Sequence, residues 1–174
     1  MMPEKPDQPD PVRTGVRLGV DAGKVRVGLA LSDPAGLLAT PHRTMVRTRD
    51  DDGVAAIAQL VAEAGVIEVI VGLPLHMSGQ EGAAAGHARA YAARVAGAIG
   101  PVPVRLVDER LSTVTAHAQL HSAGRRQKQH RKVVDQVAAT VILQSALDAM
   151  RGGREVGEVV KVCDDPPVGE EART

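Results

Sequence analysis

The segment from Val16 to Leu31 constrains the fold of this chain most strongly, because its apolar residues recur at every second position. A period of two is that of a β-strand, whose successive side chains point to opposite faces. The alternation is interrupted at Ala22-Gly23, where a turn is expected. The pattern therefore predicts an antiparallel hairpin. A helix could pack closely on one face of it, because small residues share that face with an acid: Gly19, Gly28, Ala30 and Asp21.

After a third strand, predicted from Gly36 to about Arg47, the pattern changes to helices that alternate with strands. Helices are predicted at 51–64, 81–99, 111–122 and 132–150, and strands at 66–73 and 102–107. Ser78 and Glu81 have the spacing of a capping box before the second helix. Alternating helices and strands imply right-handed crossovers and parallel pairing. We therefore predict an α/β protein with a mixed five-stranded sheet flanked by helices.

The 174 residues suffice for one domain with a substantial core. Residues 1–14 are predicted to be a disordered leader, because prolines and charges dominate them. The folded domain is predicted to span 15–151. Residues 152–174 are predicted to be a flexible acidic tail with at most one short strand, around Val159.

Three features predict a cytoplasmic protein that does not enter a membrane. Cys163 is the only cysteine, so no intramolecular disulfide can form. The amino terminus lacks the apolar segment of an export signal. No run approaches the roughly 20 apolar residues that span a bilayer.

Three acids lie where predicted elements begin or end: Asp21, Glu109 and Asp135. Asp21 and Glu109 follow strands whose carboxyl ends should form one edge of the sheet, where ligands of such folds gather. Asp135 lies on a helical stripe that should face the sheet, together with Ala139 and Ile142. Neighbouring carboxylates repel one another unless a cation binds among them. We therefore predict that the three acids bind Mg²⁺ or Mn²⁺, as one ion or two, and are catalytic.

A divalent ion held in this way can activate water and stabilise the oxygen that leaves a phosphodiester, so hydrolysis of such bonds is the expected chemistry. No spacing of Cys or His residues suggests zinc. Taken singly, each acid also has a structural explanation. Asp21 could be the polar end of a strand, Asp135 a helix-start acid that complements the helix dipole, and Asp108-Glu109 a loop pair beside Arg110.

The central part of the chain is basic, with 16 Lys and Arg against 12 Asp and Glu in residues 12–150. The segment Gly124–Lys132 is either a solvated loop or, as we favour from its position, a mobile phosphate clamp. Tyr91 is the only aromatic residue, so a nucleic acid must be held by its backbone and shape. Candidate nucleic-acid contacts are Lys24, Arg26, Arg110, Arg125, Arg126, Lys128, Arg131 and Lys132.

Four segments carry a resemblance to a known family: GVDAGKVRVGLALSD at 19–33, VGLPLHMSGQEG at 71–82, VDERLST at 107–113 and RKVVDQVAATVILQ at 131–144. In this order they resemble the YqgF/RuvX family, the Holliday-junction-resolvase-like proteins of ribonuclease H-like fold. The resemblance implies a metal-dependent endonuclease, with Asp21, Glu109 and Asp135 matching the acidic positions of the family.

The resemblance also implies one of two substrates. The first is the precursor at the 5′ end of 16S rRNA, in ribosome biogenesis, which the family favours. The second is a four-way DNA junction, in recombination and repair. Resolving a symmetric junction needs two cuts, which would make a homodimer attractive.

Two other classes of protein remain open. Actin-like ATPases and sugar kinases use a similar hairpin to hold phosphate and Mg²⁺, but they have a hydroxyl residue where Lys24 follows Gly23, and they need two such domains. A non-catalytic nucleic-acid-binding or ribosome-assembly factor could keep the fold without turnover.

Overall fold

The computed structural model describes residues 13–110 and 127–162, apart from the side chains of 127–133. The elements in chain order are β1 (Arg17–Ala22), β2 (Arg26–Ser32), β3 (Ala39–Val46), α1 (Val54–Ala64), β4 (Glu68–Leu73), α2 (Ala83–Ile99), β5 (Val104–Asp108), α3 (Gln127–Arg151) and β6 (Glu158–Val159).

The strands form one mixed sheet in the order β3-β2-β1-β4-β5-β6. Strands β1, β2 and β3 pair antiparallel, whereas β1, β4 and β5 run parallel. The predicted α/β sheet flanked by helices is therefore confirmed. It has six strands rather than the five predicted, because β6 pairs antiparallel with β5. The short strand allowed around Val159 in the sequence is thus present as β6, and the prediction was wrong only in leaving it out of the sheet.

Helices cover both faces of the sheet. On one face, α1 and α2 bury a cluster that includes Leu18, Val20 and Tyr91. On the other face, α3 buries a second cluster that includes Ile70 and Leu143. Strand β4 contributes to both clusters and is buried throughout, which explains why its sequence is almost continuously apolar.

Helix α3 packs against the backbones of β1 and β2. A Cβ atom added at Gly19 would lie 2.7 Å from the Cβ of Leu143, and one added at Gly28 would lie 2.1 Å from the carbonyl oxygen of Asp135. The close approach predicted for this face of the hairpin is thus confirmed. It fixes the part of α3 that carries Asp135 directly over β2.

The predicted capping box before α2 is wrong. Gly82 occupies the N-cap position without a side-chain hydrogen bond, and the helix begins at Ala83. Glu81 instead forms an isolated bridge with Leu75 and an ion pair with Arg89. Ser78 and Glu81 therefore belong to the loop before α2 and do not cap the helix.

Helix α3 begins at Gln127, earlier than the predicted start at Lys132. Unbranched polar residues such as Gln, Lys and Arg have nearly the helix propensity of Leu, so a polar segment can still be helical. The loop predicted for Gly124–Lys132 is therefore wrong for residues 127–132. The helix predicted at 111–122 lies outside the described residues.

The residues that follow α3 return to the sheet. Val156 is buried against the second cluster, and β6 pairs with β5. Residues predicted to belong to the flexible tail thus contact the domain as far as Val160, whose backbone N–H donates to the carbonyl of Val104 at 2.8 Å. The predicted limits of the leader, domain and tail stay predictions. Within the described ranges, no helix has the length and apolar character needed to cross a membrane.

Candidate active site

Asp21 lies near the carboxyl end of β1, directly opposite Gly28 of β2. Residues opposite each other in an antiparallel pair point to the same face. Because Gly28 has no side chain, the backbone of α3 at Asp135 fills the space beside Asp21. The hairpin and the helix thereby bring these two acids together.

Glu109 follows the last residue of β5, and its backbone N–H donates to the carbonyl of Leu73 at 3.2 Å. Its side chain crosses the end of β4, because a Cβ atom added at Gly72 would lie 2.3 Å from Oε1 of Glu109. The same atom would lie 2.7 Å from Cδ1 of Ile142 on α3. Gly72 therefore leaves room for the Glu109 side chain between the sheet and the helix. Strand β4 is the neighbour of β1, so Glu109 approaches Asp21.

The fold raises the pKa of two of these acids. Burial raises the pKa of Asp21 to about 6, with the charge of Asp135 as a second cause. Burial also raises the pKa of Glu109 to about 7, and the charges of Asp21 and Asp108 add to the effect. The ionised site is therefore repulsive, and a cation would relieve the repulsion. Half-buried carboxylates are suitable ligands for a hard divalent ion, so the donor set fits Mg²⁺ or Mn²⁺.

Asp135 is held by a basic residue, Arg26. Its Oδ2 atom accepts a hydrogen bond from Nε of Arg26 at 2.6 Å, and the two side chains are 21% and 27% exposed. In the part of the chain that the structure describes, no group of three or more His, Cys, Asp or Glu side chains is arranged to hold a metal ion. The structure thus gathers the three predicted ligands at one edge without forming a closed carboxylate cage.

The residues predicted to contact a nucleic acid differ in whether they already pair with an acid of the protein. Lys24 is exposed in the turn between β1 and β2. Arg110 is exposed, but its guanidinium pairs with Asp108 at 2.7 Å and donates to the carbonyl of Met77. Three predicted contacts lie on α3, but their side chains are outside the described part of the structure: Lys128, Arg131 and Lys132. Arg125 and Arg126 lie outside the described residues altogether.

Sequence reasoning missed the ion pair between Arg26 and Asp135. Strand parity contained a signal for it, because Arg26 lies two residues before Gly28 and therefore on the face that carries Asp21. Arg26 was predicted to contact a nucleic acid on the assumption that each basic residue near the acids is available to bind one. Within the protein, the guanidinium already has an acidic partner.

The chain is similar in sequence to known proteins. A family model described as "RuvX: Holliday junction resolvase" matches residues 15–149. A protein of Kineococcus radiotolerans, named "Putative pre-16S rRNA nuclease", is 55% identical over 152 residues, which cover 86% of this chain and 80% of the relative. A protein of Leifsonia xyli subsp. xyli with the same name is 53% identical over 140 residues, which cover 80% of this chain and 90% of the relative.

A solved structure supports the fold. The structure described as "T. thermophilus RuvC in complex with Holliday junction substrate" matches with a TM-score of 0.55 and 15% identity. The match covers 83% of this chain and 99% of the RuvC chain. The ribonuclease H-like α/β fold implied by the sequence resemblance is therefore confirmed.

Proposed function

Since the chain belongs to the RuvX family, we propose that it is a divalent-metal-dependent nuclease that matures the 5′ end of pre-16S rRNA during ribosome biogenesis. Relatives that are about half identical to it carry the name of a pre-16S rRNA nuclease. The observation that supports the proposal is geometric: Asp21 lies opposite Gly28, where the backbone of Asp135 packs, and the side chain of Glu109 crosses the end of the neighbouring strand β4. We place the protein in the cytoplasm, where ribosomes are assembled.

In this proposal Asp21, Glu109 and Asp135 hold Mg²⁺ or Mn²⁺. When bound, the cation supplies an acidified water and stabilises charge on the leaving oxygen. The protein supplies the positions of the carboxylates and a half-buried site that strengthens their electrostatic effect. Because the pKa of Glu109 is about 7 without metal, the cation would have to displace a proton from part of the Glu109 carboxyl groups at neutral pH.

Substrate binding is proposed to depend on the sugar-phosphate backbone. Lys24 is exposed beside the acids, and the basic residues at 125–132 precede Asp135 in the chain. Tyr91, the only aromatic residue, lies on α2 with its side chain fully buried, so it cannot stack on a base. Binding through phosphates alone carries no base readout and weakens steeply with salt.

The second candidate function is resolution of four-way DNA junctions. The description of the matching family model favours it. A symmetric junction must be cut twice, so this function would require two active sites and a homodimer. Processing of an RNA end requires one site only.

Parallel cleavage assays separate the two functions. Labelled pre-16S RNA and a synthetic four-way junction would be incubated with the protein at the same salt concentration, with Mg²⁺ or Mn²⁺. We expect cleavage of the RNA near its mature 5′ end. Cleavage of the junction alone, by paired cuts, would favour the resolvase instead. Absence of any cleavage, with both substrates bound, would favour a non-catalytic assembly factor.

Variants test the assignment of the site. Asp21→Asn and Asp135→Asn should each abolish cleavage while leaving the fold intact. Asp148→Asn is the matched control, because Asp148 is an exposed acid at the far end of the same helix, paired with Arg151. Cleavage that persists in both site variants, or that needs no metal, would refute the assignment.

A further inference from the structure

The ion pair between Arg26 and Asp135 lies where the proposed function needs a metal ligand. Nε of Arg26 donates to Oδ2 of Asp135 at 2.6 Å, which is the length of a strong charge-assisted hydrogen bond. Both side chains are about one quarter exposed, so ions from solvent can reach the pair. The same carboxylate therefore has two possible cationic partners, a guanidinium and a divalent ion.

The backbone around the pair is fixed more firmly than the two side chains. Arg26 begins β2, and two residues later Gly28 touches the backbone carbonyl of Asp135. This contact fixes the distance between α3 and β2. Asp135 can then change partner by rotating its side chain, without movement of the helix. Asp21 lies opposite Gly28, so the alternative direction leads toward another acid.

The charges around the site explain why a basic partner is useful before metal binds. Asp21 lies opposite Gly28, where the backbone of Asp135 packs, and the side chain of Glu109 crosses the end of β4, the strand next to β1. A guanidinium on Asp135 offsets part of the repulsion among these carboxylates in the metal-free protein. When a divalent ion arrives, it neutralises more charge than Arg26 can, so the pair can be exchanged without leaving the acids uncompensated.

We propose that Arg26 is an internal counter-ion of the metal-free site, which holds Asp135 until a divalent cation replaces it. This inference rests on the proposed metal site and adds a competitor to it. Arg26 is thus a positioning residue that acts through Asp135. The measured affinity for the cation includes the free energy of breaking the ion pair.

Calorimetric titration of the metal-free protein with Mn²⁺ tests the exchange without any nucleic acid. Arg26→Gln should bind Mn²⁺ more tightly than the wild type, on the order of threefold to tenfold, which is the range of a partly buried ion pair. Arg43→Gln is the matched control, because it removes an exposed arginine from the neighbouring strand β3. We expect its affinity to stay within about twofold of the wild type.

A double-mutant cycle separates the ion pair from a general effect of charge. In the Asp135→Asn background, Arg26→Gln should no longer tighten the binding of Mn²⁺. Arg26→Lys, which keeps the charge, should bind Mn²⁺ nearly as the wild type does. If Arg26→Gln is less stable without metal, its melting temperature should recover on addition of Mn²⁺ by more than that of the wild type.

The outcomes distinguish this inference from the proposed function. Equal or weaker Mn²⁺ binding by Arg26→Gln would overturn the counter-ion role, while metal-dependent RNA cleavage by the wild type would still support the nuclease. A wild type that binds no Mn²⁺ and cleaves RNA in the presence of a chelator would overturn both. Tighter binding by Arg26→Gln that disappears in the Asp135→Asn background would support the exchange even if no RNA were cleaved.

Discussion

Asp21 shows how the fold adjusts a single residue for metal binding. Its carboxyl has a pKa raised from 3.8 to about 6, first by burial and then by the charge of Asp135. The pKa of Glu109 is raised from 4.5 to about 7, again first by burial and then by the charges of neighbouring acids. Both acids must lose their protons to serve as ligands. The two acids are therefore protonated in mild acid, and above neutral pH they are ionised and able to bind a metal ion.

The first prediction at this scale concerns metal affinity. Because protons and the cation compete for Asp21 and Glu109, Mn²⁺ affinity should increase as the pH rises from about 5 to 8. Most of the increase should fall near the two pKa values of about 6 and 7. Calorimetric titrations in buffers of known ionisation enthalpy would measure both the affinity and the protons released. An affinity that does not vary over this range would contradict the raised pKa values.

A second prediction concerns stability without metal. Because the pKa of Asp21 is raised, its protonated form contributes stability below about pH 4, and this contribution is lost as the pH rises through about 6. Asp21→Asn, which stays neutral, should therefore be more stable than the wild type at pH 8 by about 1 to 2 kcal/mol, and by much less at pH 4. Urea unfolding in a chelator at both pH values would measure the difference. Asp148→Asn, at an exposed acid, should show no such dependence.

Helix α3 is the element on which the site depends, and its contact with β2 leaves no room for a methyl group at Gly28. Gly28→Ala should push α3 outward and lower the free energy of unfolding by about 1 to 3 kcal/mol. It should also reduce cleavage sharply, because Asp135 moves with the helix. Gly86→Ala is the matched control: Gly86 is an exposed position of α2 with open space around it. There the same change should stabilise the protein by about 0.5 to 1 kcal/mol. Equal effects at the two positions would refute the close approach.

The elements differ in how well their sequences predict them. The hairpin could be predicted because its apolar residues recur with the period of a strand. Strand β4 could be predicted because nearly all of its residues are apolar. The early start of α3 could not be predicted, because its first turns are polar and a polar sequence is compatible with both a helix and a loop. Ser78 and Glu81 had the right spacing for a cap, but the loop before α2 pairs Glu81 with Leu75 instead. Local signals failed where a tertiary contact offered a competing partner.

At the scale of the whole molecule, Asp21 comes from a part of the chain that is more than 80 residues away from Glu109 and Asp135. Their meeting at one edge could be predicted, because parallel strands end together and α3 presents one stripe to the sheet. The choice of partner for Asp135 could not be predicted with the same method. It depends on side-chain contacts between β2 and α3, whereas a periodic pattern reports only which face a residue occupies.

The segment after α3 gives a prediction about the whole domain. Val156 is buried and β6 covers the edge of β5, so the sheet uses residues beyond Arg151. A protein that stops after Arg151 should melt several degrees lower than the full chain, because it exposes Val156 and the edge of β5. A protein that stops after Val162 should melt close to the full chain, because it keeps Val156 and β6. Equal melting temperatures for both truncations would contradict a structural role for residues 152–162.

The central claim is that the acids gathered at the end of β1 and β5 hold a divalent ion that is needed to cut pre-16S RNA. The most direct measurement is the rate of cleavage of 5′-labelled pre-16S RNA during a titration with Mn²⁺, for the wild type, Glu109→Gln and Asp148→Asn. We expect the rates of the wild type and Asp148→Asn to rise together from zero and to saturate. Glu109→Gln should be slower by about a hundredfold or more. Cleavage by Glu109→Gln at the wild-type rate, or cleavage without metal, would contradict the claim.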